Sequence, residues 1–154
     1  MDDTAQLAIA ERLSIVVGRF NRRIRTAKGG LSQGLLSALA TVERCGPLRL
    51  AELAAVETVS APSITRIVAG LEARGLVART TDPLDGRAAL IAVTVRGSRA
   101  VAEARAARAE ATSELLDALG SVELASVAAA LPALESMVEP LNAPRKLRDE
   151  TLAR

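Results

Sequence analysis

The spacing of apolar residues changes twice along the chain, and the stretch between the changes is built around a turn. Up to Gly75 apolar side chains recur every three to four positions. From Leu76 to Val93 they form short β-branched and apolar runs on either side of Asp82-Pro83-Leu84-Asp85-Gly86, and from Thr94 onward the helical spacing returns. Proline fixes φ, aspartate bonds its neighbouring backbone and glycine tolerates positive φ, so Asp82, Pro83, Asp85 and Gly86 predict the tip of a two-stranded hairpin. Arg87 follows at once. A cation is thereby fixed on a protruding loop beside the helix predicted from Ser60 to Gly75.

Helical segments lie on both sides. Ile9, Leu13, Val16, Phe20 and Ile24 make one stripe of a first helix, expected to end near Gly29-Gly30. Ser32 predicts a cap for a second, with Leu35, Leu36, Leu39 and Val42 buried and Gly46-Pro47 as its stop. A short third helix covers Leu50 to Val56, with Leu53 and Ala54 toward the core. Ser60 suits the cap of the fourth, Pro62 is tolerated in its first turn, and Gly75 fits the left-handed position just past its end. Ile64, Ile67, Val68 and Leu71 form its inner stripe. Opposite lie Ala61, Pro62, Ser63, Thr65, Arg66 and Ala69, mostly short enough for the backbone to enter a groove.

Thr94 predicts the cap of a long fifth helix carrying Val101, Ala104, Ala111, Leu115 and Leu119, which Gly120 ends. Ser121 predicts the cap of a sixth with Leu124, Val127, Leu131, Leu134 and Val138, where Pro132 predicts a kink or break because it lacks a backbone donor and crowds the preceding turn. The expected class is mostly α with a small β-hairpin.

Phe20 is the single aromatic residue, so the core must be assembled from Ala, Leu, Val and Ile, each burying little area. The 154-residue chain, 49% hydrophobic and 25% charged, is long enough for one such core. The first and the last two helices are long and Ala-rich, and could bury their stripes well only against a second subunit. A homodimer is the expectation.

No apolar run approaches the roughly 18 uncharged residues of a membrane span, and Met1-Asp2-Asp3-Thr4 lacks the basic start of a secretory signal; a cytoplasmic protein without a membrane partner is expected. One cysteine excludes an internal disulfide, and the absence of histidine excludes a histidine base or a zinc site that uses one. With no nucleophile–base pair, metal cluster or phosphate-binding loop evident, neither an enzyme nor a cofactor is expected.

Formal net charge is only +2, so its distribution matters more than its size. Residues 60–99 hold six arginines against three carboxylates, a net +3, and residues 100–139 hold two arginines against seven carboxylates, a net −5. The hairpin region is basic and the next helices acidic. Six basic side chains, most of them in the cluster Arg19, Arg22, Arg23, Arg25 and Lys28, against three carboxylates give the first 30 residues a further +3, for which a solvated helix face is the plain explanation.

Taken in order, these elements resemble the winged helix-turn-helix of the MarR family (multiple antibiotic resistance regulators), over nearly the whole chain. The family's wing pattern, Asp-x-Arg followed by Leu-Thr-x-x-Gly, corresponds to Asp85-Gly86-Arg87 and Val93-Thr94-Val95-Arg96-Gly97, with Val93 departing from Leu. Leu53-Ala54, Val59 to Arg66 and Leu71 to Val77 are similar to its DNA-reading core.

The resemblance implies a homodimeric regulator of transcription binding double-stranded DNA. Residues 31–94 would be the DNA-binding domain, and residues 1–30 and 95–154 the dimerisation region. It places the fourth helix in the major groove and the wing in or beside the minor groove. Arg66 is long enough for a guanine edge or a phosphate, Ser60, Ser63 and Thr65 can bond phosphates or bases, and Pro62 can meet a thymine methyl. Arg87 suits the negative potential of a narrow minor groove, and Asp85 is better placed to orient Arg87 than to face phosphate, if it is more than a turn former. Arg49 stands where the family usually caps the third helix with Ser or Thr; it suits either a phosphate contact or plain exposure.

The resemblance also implies a repressor released from a pseudo-palindromic operator by a small aromatic or phenolic effector, whose binding residues the sequence does not mark. Cys45, beside Arg44, opens a thiol-sensor alternative, although the family's sensing cysteines usually lie in the first helix and a lone cysteine is commonly a small buried hydrophobe. A winged-helix interaction module without DNA binding is the other alternative, disfavoured by Arg66 and Arg87.

Overall fold

The helical stripes of the middle of the chain meet around one small core. The computed structural model describes residues 2–24, 31–82 and 85–142, with backbone alone at 85–87 and 139–142. Its helices are α1 (Asp3–Ile24), α2 (Gln33–Cys45), α3 (Leu50–Glu57), α4 (Ala61–Glu72), α5 (Val95–Leu116) and α6 (Ser121–Asn142). Three strands, β1 (Leu48–Arg49), β2 (Val77–Asp82) and β3 (Asp85–Val93), form an antiparallel sheet in the order β1-β3-β2, with Leu48 opposite Ile91 and Val77 opposite Val93.

The core draws one or more side chains from each element around it. Leu39 and Val42 of α2, Leu53 of α3, Ile64, Val68 and Leu71 of α4, Ile91 of β3 and Val101 of α5 are all less than 2% exposed. Such aliphatic side chains each contribute about 1.5–3 kcal/mol when fully buried, so the sheet and four helices cohere without an aromatic centre.

Local details depart from expectation. Ser32 and Ser60 occupy the cap positions of α2 and α4 in extended backbone, but neither side chain makes a capping bond. Helix α5 stops at Leu116, short of Gly120. Ser121 is the first residue of α6 instead of its cap; Leu124 N donates to Gly120 O at 2.9 Å, and Glu123 Oε2 accepts from Gly120 N at 2.8 Å. A carboxylate inside the first turn thus satisfies an amide that precedes the helix.

Pro132 does not break α6, which runs unbroken to Asn142. The ring removes one donor only, and the carbonyl it would have served lies on an exposed face where water can reach it. The expected end of α1 near Gly29-Gly30 lies outside the described residues.

Among the described residues neither terminal helix buries its stripe. Helix α1 has no buried residue, and Val16 is 60% exposed. Every residue of α6 from Ser121 to Val138 is exposed, and this stretch is long and apolar enough by length and composition to cross a membrane, although it carries Glu123 and Glu135. Those two carboxylates keep it from being an uncharged run of the length a span needs, as the sequence leads one to expect.

Candidate nucleic-acid interface

Helix α4 presents two faces of opposite character. Ile64, Val68 and Leu71 are buried and Ile67 half-buried, which fixes the rotation of the helix and turns Ala61, Pro62, Thr65, Arg66 and Ala69 to solvent with Ser63 at the margin. The hydroxyls are partly used locally: Ser60 Oγ lies 3.0 Å from Ser63 Oγ, and Thr65 Oγ1 donates to Ala61 O at 2.8 Å. Arg66 engages none of the described residues. It is the one long side chain on the outer face.

The end of α4 is tied to both the hairpin and α5. Gly75 has φ +66, the left-handed conformation that a side chain would strain, and Leu76 N returns to Leu71 O at 3.0 Å. Glu72 pairs with Arg79 of β2, at 2.9 Å to its Nε. Thr94 Oγ1 accepts from Gly97 N at 3.0 Å and lies 2.7 Å from Gly75 O, so one hydroxyl caps α5 and holds it to the turn after α4. Gly97 is needed for that approach: a Cβ there would stand 2.0 Å from Leu76 O. The Thr-x-x-Gly spacing is therefore a packing requirement.

The strands of the hairpin run further than the turn chemistry predicts. Asp82 ends β2 and Asp85 begins β3, each the register partner of the other, so the expected turn residues Asp82, Asp85 and Gly86 belong to strands. Pro83 and Leu84 lie outside the described residues, as do the side chains of Asp85 and Arg87. The backbone puts Arg87 in β3, two residues past its start.

Asp82 is the functional-region residue that sequence reading missed. Its side chain is only 6% exposed, and it receives Arg49 Nε at 2.8 Å and Arg49 Nη2 at 2.5 Å. Arg49 is extended, just before α3, and its backbone N donates to Glu52 Oε2 at 2.8 Å. Arg49, for which the sequence leaves a phosphate contact and plain exposure open, is paired with a carboxylate in the folded chain. No local signal marks a pair 33 residues apart. Cys45 is half-buried and packed against the core.

A cleft of ≈ 500 Å³ opens between α2, the end of α3 and α5, with Ser37, Thr41, Arg44, Glu57, Arg105 and Arg108 among its lining residues. Thr41 Oγ1 donates to Glu57 Oε1 at 2.6 Å, and Arg105 pairs with Glu43 at 3.0 Å.

The MarR family model matches residues 31–89, the stretch that contains α2 to the start of β3. An HTH-type transcriptional regulator of Mycobacterium bovis, Mb0904, is 38% identical over 80% of this chain and 86% of its own length. This chain belongs to the MarR family. The MarR-family winged helix is also the fold of a MarR family protein from Bacillus stearothermophilus, with a TM-score of 0.74, 20% identity and coverage of 90% of this chain and 99% of that one. A MarR-family transcriptional regulator from Rhodococcus sp. RHA1 has a TM-score of 0.60 and 27% identity, covering 90% and 94%. MarR-family membership makes the chain a DNA-binding regulator of transcription and not an enzyme.

Proposed function

We propose that the chain is a homodimeric repressor that reads a pseudo-palindromic operator with α4 and the wing, and leaves it when a small molecule binds. Residues 31–94 act as the DNA-binding domain, and residues 1–30 and 95–154 as the dimerisation region. The observation that carries the reading is the outer face of α4, where small side chains surround an unengaged Arg66. In the major groove, Arg66 takes a guanine edge or phosphate, Ser60, Ser63 and Thr65 bond the backbone or base edges, and Pro62 meets a thymine methyl. Arg87 enters the minor groove and Asp85 orients it.

The exposed stripes of α1 and α6 support the dimer. Among the described residues fourteen large hydrophobics are exposed in the single chain, and all but Val95 lie on these two helices. Patches of that extent mark association surfaces. The two reading helices then address half-sites about 10 base pairs apart, roughly 34 Å along the duplex.

The cleft between α2 and α5 supports the effector clause. It joins a helix of the reading head to the helix that leads to the dimer region, and Arg44, Arg105 and Arg108 suit the carboxylate of an aromatic or phenolic acid. Ligand binding there acts only through different affinity for two dimer arrangements.

The test starts by capturing the chromosomal fragment the protein retains, then footprinting it and titrating salicylate-like compounds. Two symmetric half-sites and release by the compound are the expected result. A single asymmetric site removes the symmetric dimer, and a compound that raises the melting temperature without altering operator affinity removes the effector clause.

A further inference from the structure

We infer that Arg49 and Asp82 are a positioning pair for the wing: the half-buried ion pair between them sets the direction in which the hairpin carries Arg87. The inference rests on the DNA-binding reading proposed for α4 and the wing. Strands β1 and β2 are not neighbours, because β3 lies between them, and yet Arg49 on β1 meets Asp82 on β2. The guanidinium therefore crosses β3 and ties the two outer strands together.

The surroundings of each end give the tie its role. Arg49 is anchored by its own backbone, whose N–H donates to Glu52 in the first turn of α3. β1 has only two residues, paired with Leu90 and Ile91, so its ladder alone is a short hold on the sheet. Asp82 is the last residue of β2, at the point where the β2–β3 register shifts between Thr81 and Asp82. Irregular pairing bends a strand and re-aims the residues beyond it. Asp82 is the register partner of Asp85 at the start of β3, and Arg87 comes five residues after Asp82 in the chain.

Energetics favour orientation over stability as the purpose. A carboxylate 6% exposed has lost most of its hydration, and the attraction of a partner with a 44% exposed side chain offsets that cost without much surplus. A hydrophobic pair would hold the same strands. A charged pair with two directed N–H···O bonds also fixes an angle. The pair simultaneously turns Arg49 away from being a simple phosphate contact.

Opposite charge changes separate the two roles. Arg49→Ala removes a cation and Asp82→Asn an anion, so a direct phosphate contact by Arg49 predicts weaker binding for the first and unchanged or tighter binding for the second. A positioning pair predicts that both weaken operator binding, by about tenfold, and that the double variant is no worse than either single one. The slope of log affinity against log salt stays that of the parent protein, whereas loss of a phosphate contact lowers it by about 1.

A cycle with the wing supplies the deciding readout. In an Arg87→Ala background Asp82→Asn has little further effect, while in an Arg66→Ala background its full effect persists. Melting temperatures are measured alongside, and Asp82→Asn, which keeps the shape of the side chain, carries the test if Arg49→Ala does not fold. Equal effects in both backgrounds, or opposite effects of the two single variants, overturn the pair while leaving DNA binding intact. A parent protein that retains no DNA overturns the underlying reading, and the pair with it.

Discussion

Leu71 on α4 is 0% exposed and Leu131 on α6 is 48% exposed, although both stand in equally regular apolar stripes. The stripe of α4 finds α2, α3 and the sheet within its own chain; that of α6 is buried by none of the described residues from Ser121 to Val138. Periodicity thus says that a helix has a face to bury and not where its partner is. In the reading head the partner is intramolecular, and for the outer helices the proposed partner is a second copy.

The sharpest way to break this contrast is to remove a core side chain from the reading head. Leu71→Ala should cost about 2–5 kcal/mol of stability in urea or thermal unfolding, because α2, α3 and β3 cannot close the space it leaves. A loss below about 1 kcal/mol would mean that the head does not depend on this core. On α6, Leu131→Glu should act on association instead. Sedimentation should show dimerisation weakened tenfold or more, about 1.4 kcal/mol, with the helical content of the head preserved. A dimer of unchanged strength would move the interface off α6.

Two smaller effects test the exposed side of the head. Arg66→Ala should weaken operator binding by about 1–3 kcal/mol and relax preference at one base pair, with melting unchanged; Arg87→Ala should lose a similar amount. Wild-type affinity in both variants would remove α4 and the wing as reading elements. Smallest is Thr94→Ala, expected to cost about 0.5–2 kcal/mol of stability through loss of the α5 cap and of the link to Gly75. If that variant melts like the parent, the junction between the head and α5 is held by packing at Gly97 alone.

Much of the head was legible because its signals are local. Ile64, Val68 and Leu71 follow the helical period, Gly75 is the only residue type without a penalty at φ +66, and Thr94 with Gly97 places a hydroxyl three residues before the amide it caps. Where local signals compete, the reading erred. Asp82 looks like a turn former before proline, yet it ends a strand as a buried carboxylate; Ser121 looks like a cap, yet the Glu123 carboxylate reaches Gly120 first. Pro132 looks like a helix breaker, but one missing hydrogen bond on an exposed surface does not outweigh the bonds on either side.

Sequence alone determined the order of the elements, the face of α4 turned inward and the basic character of the hairpin region. Each depends on spacing within a few residues, where backbone geometry dictates which side chains share a side. Tertiary structure decided what meets across the chain: Arg49 with Asp82, Glu72 with Arg79, Thr94 with Gly75. Those contacts arise only when the sheet and helices close on the common core, because the charges and hydroxyls involved would be equally content in water at any other position.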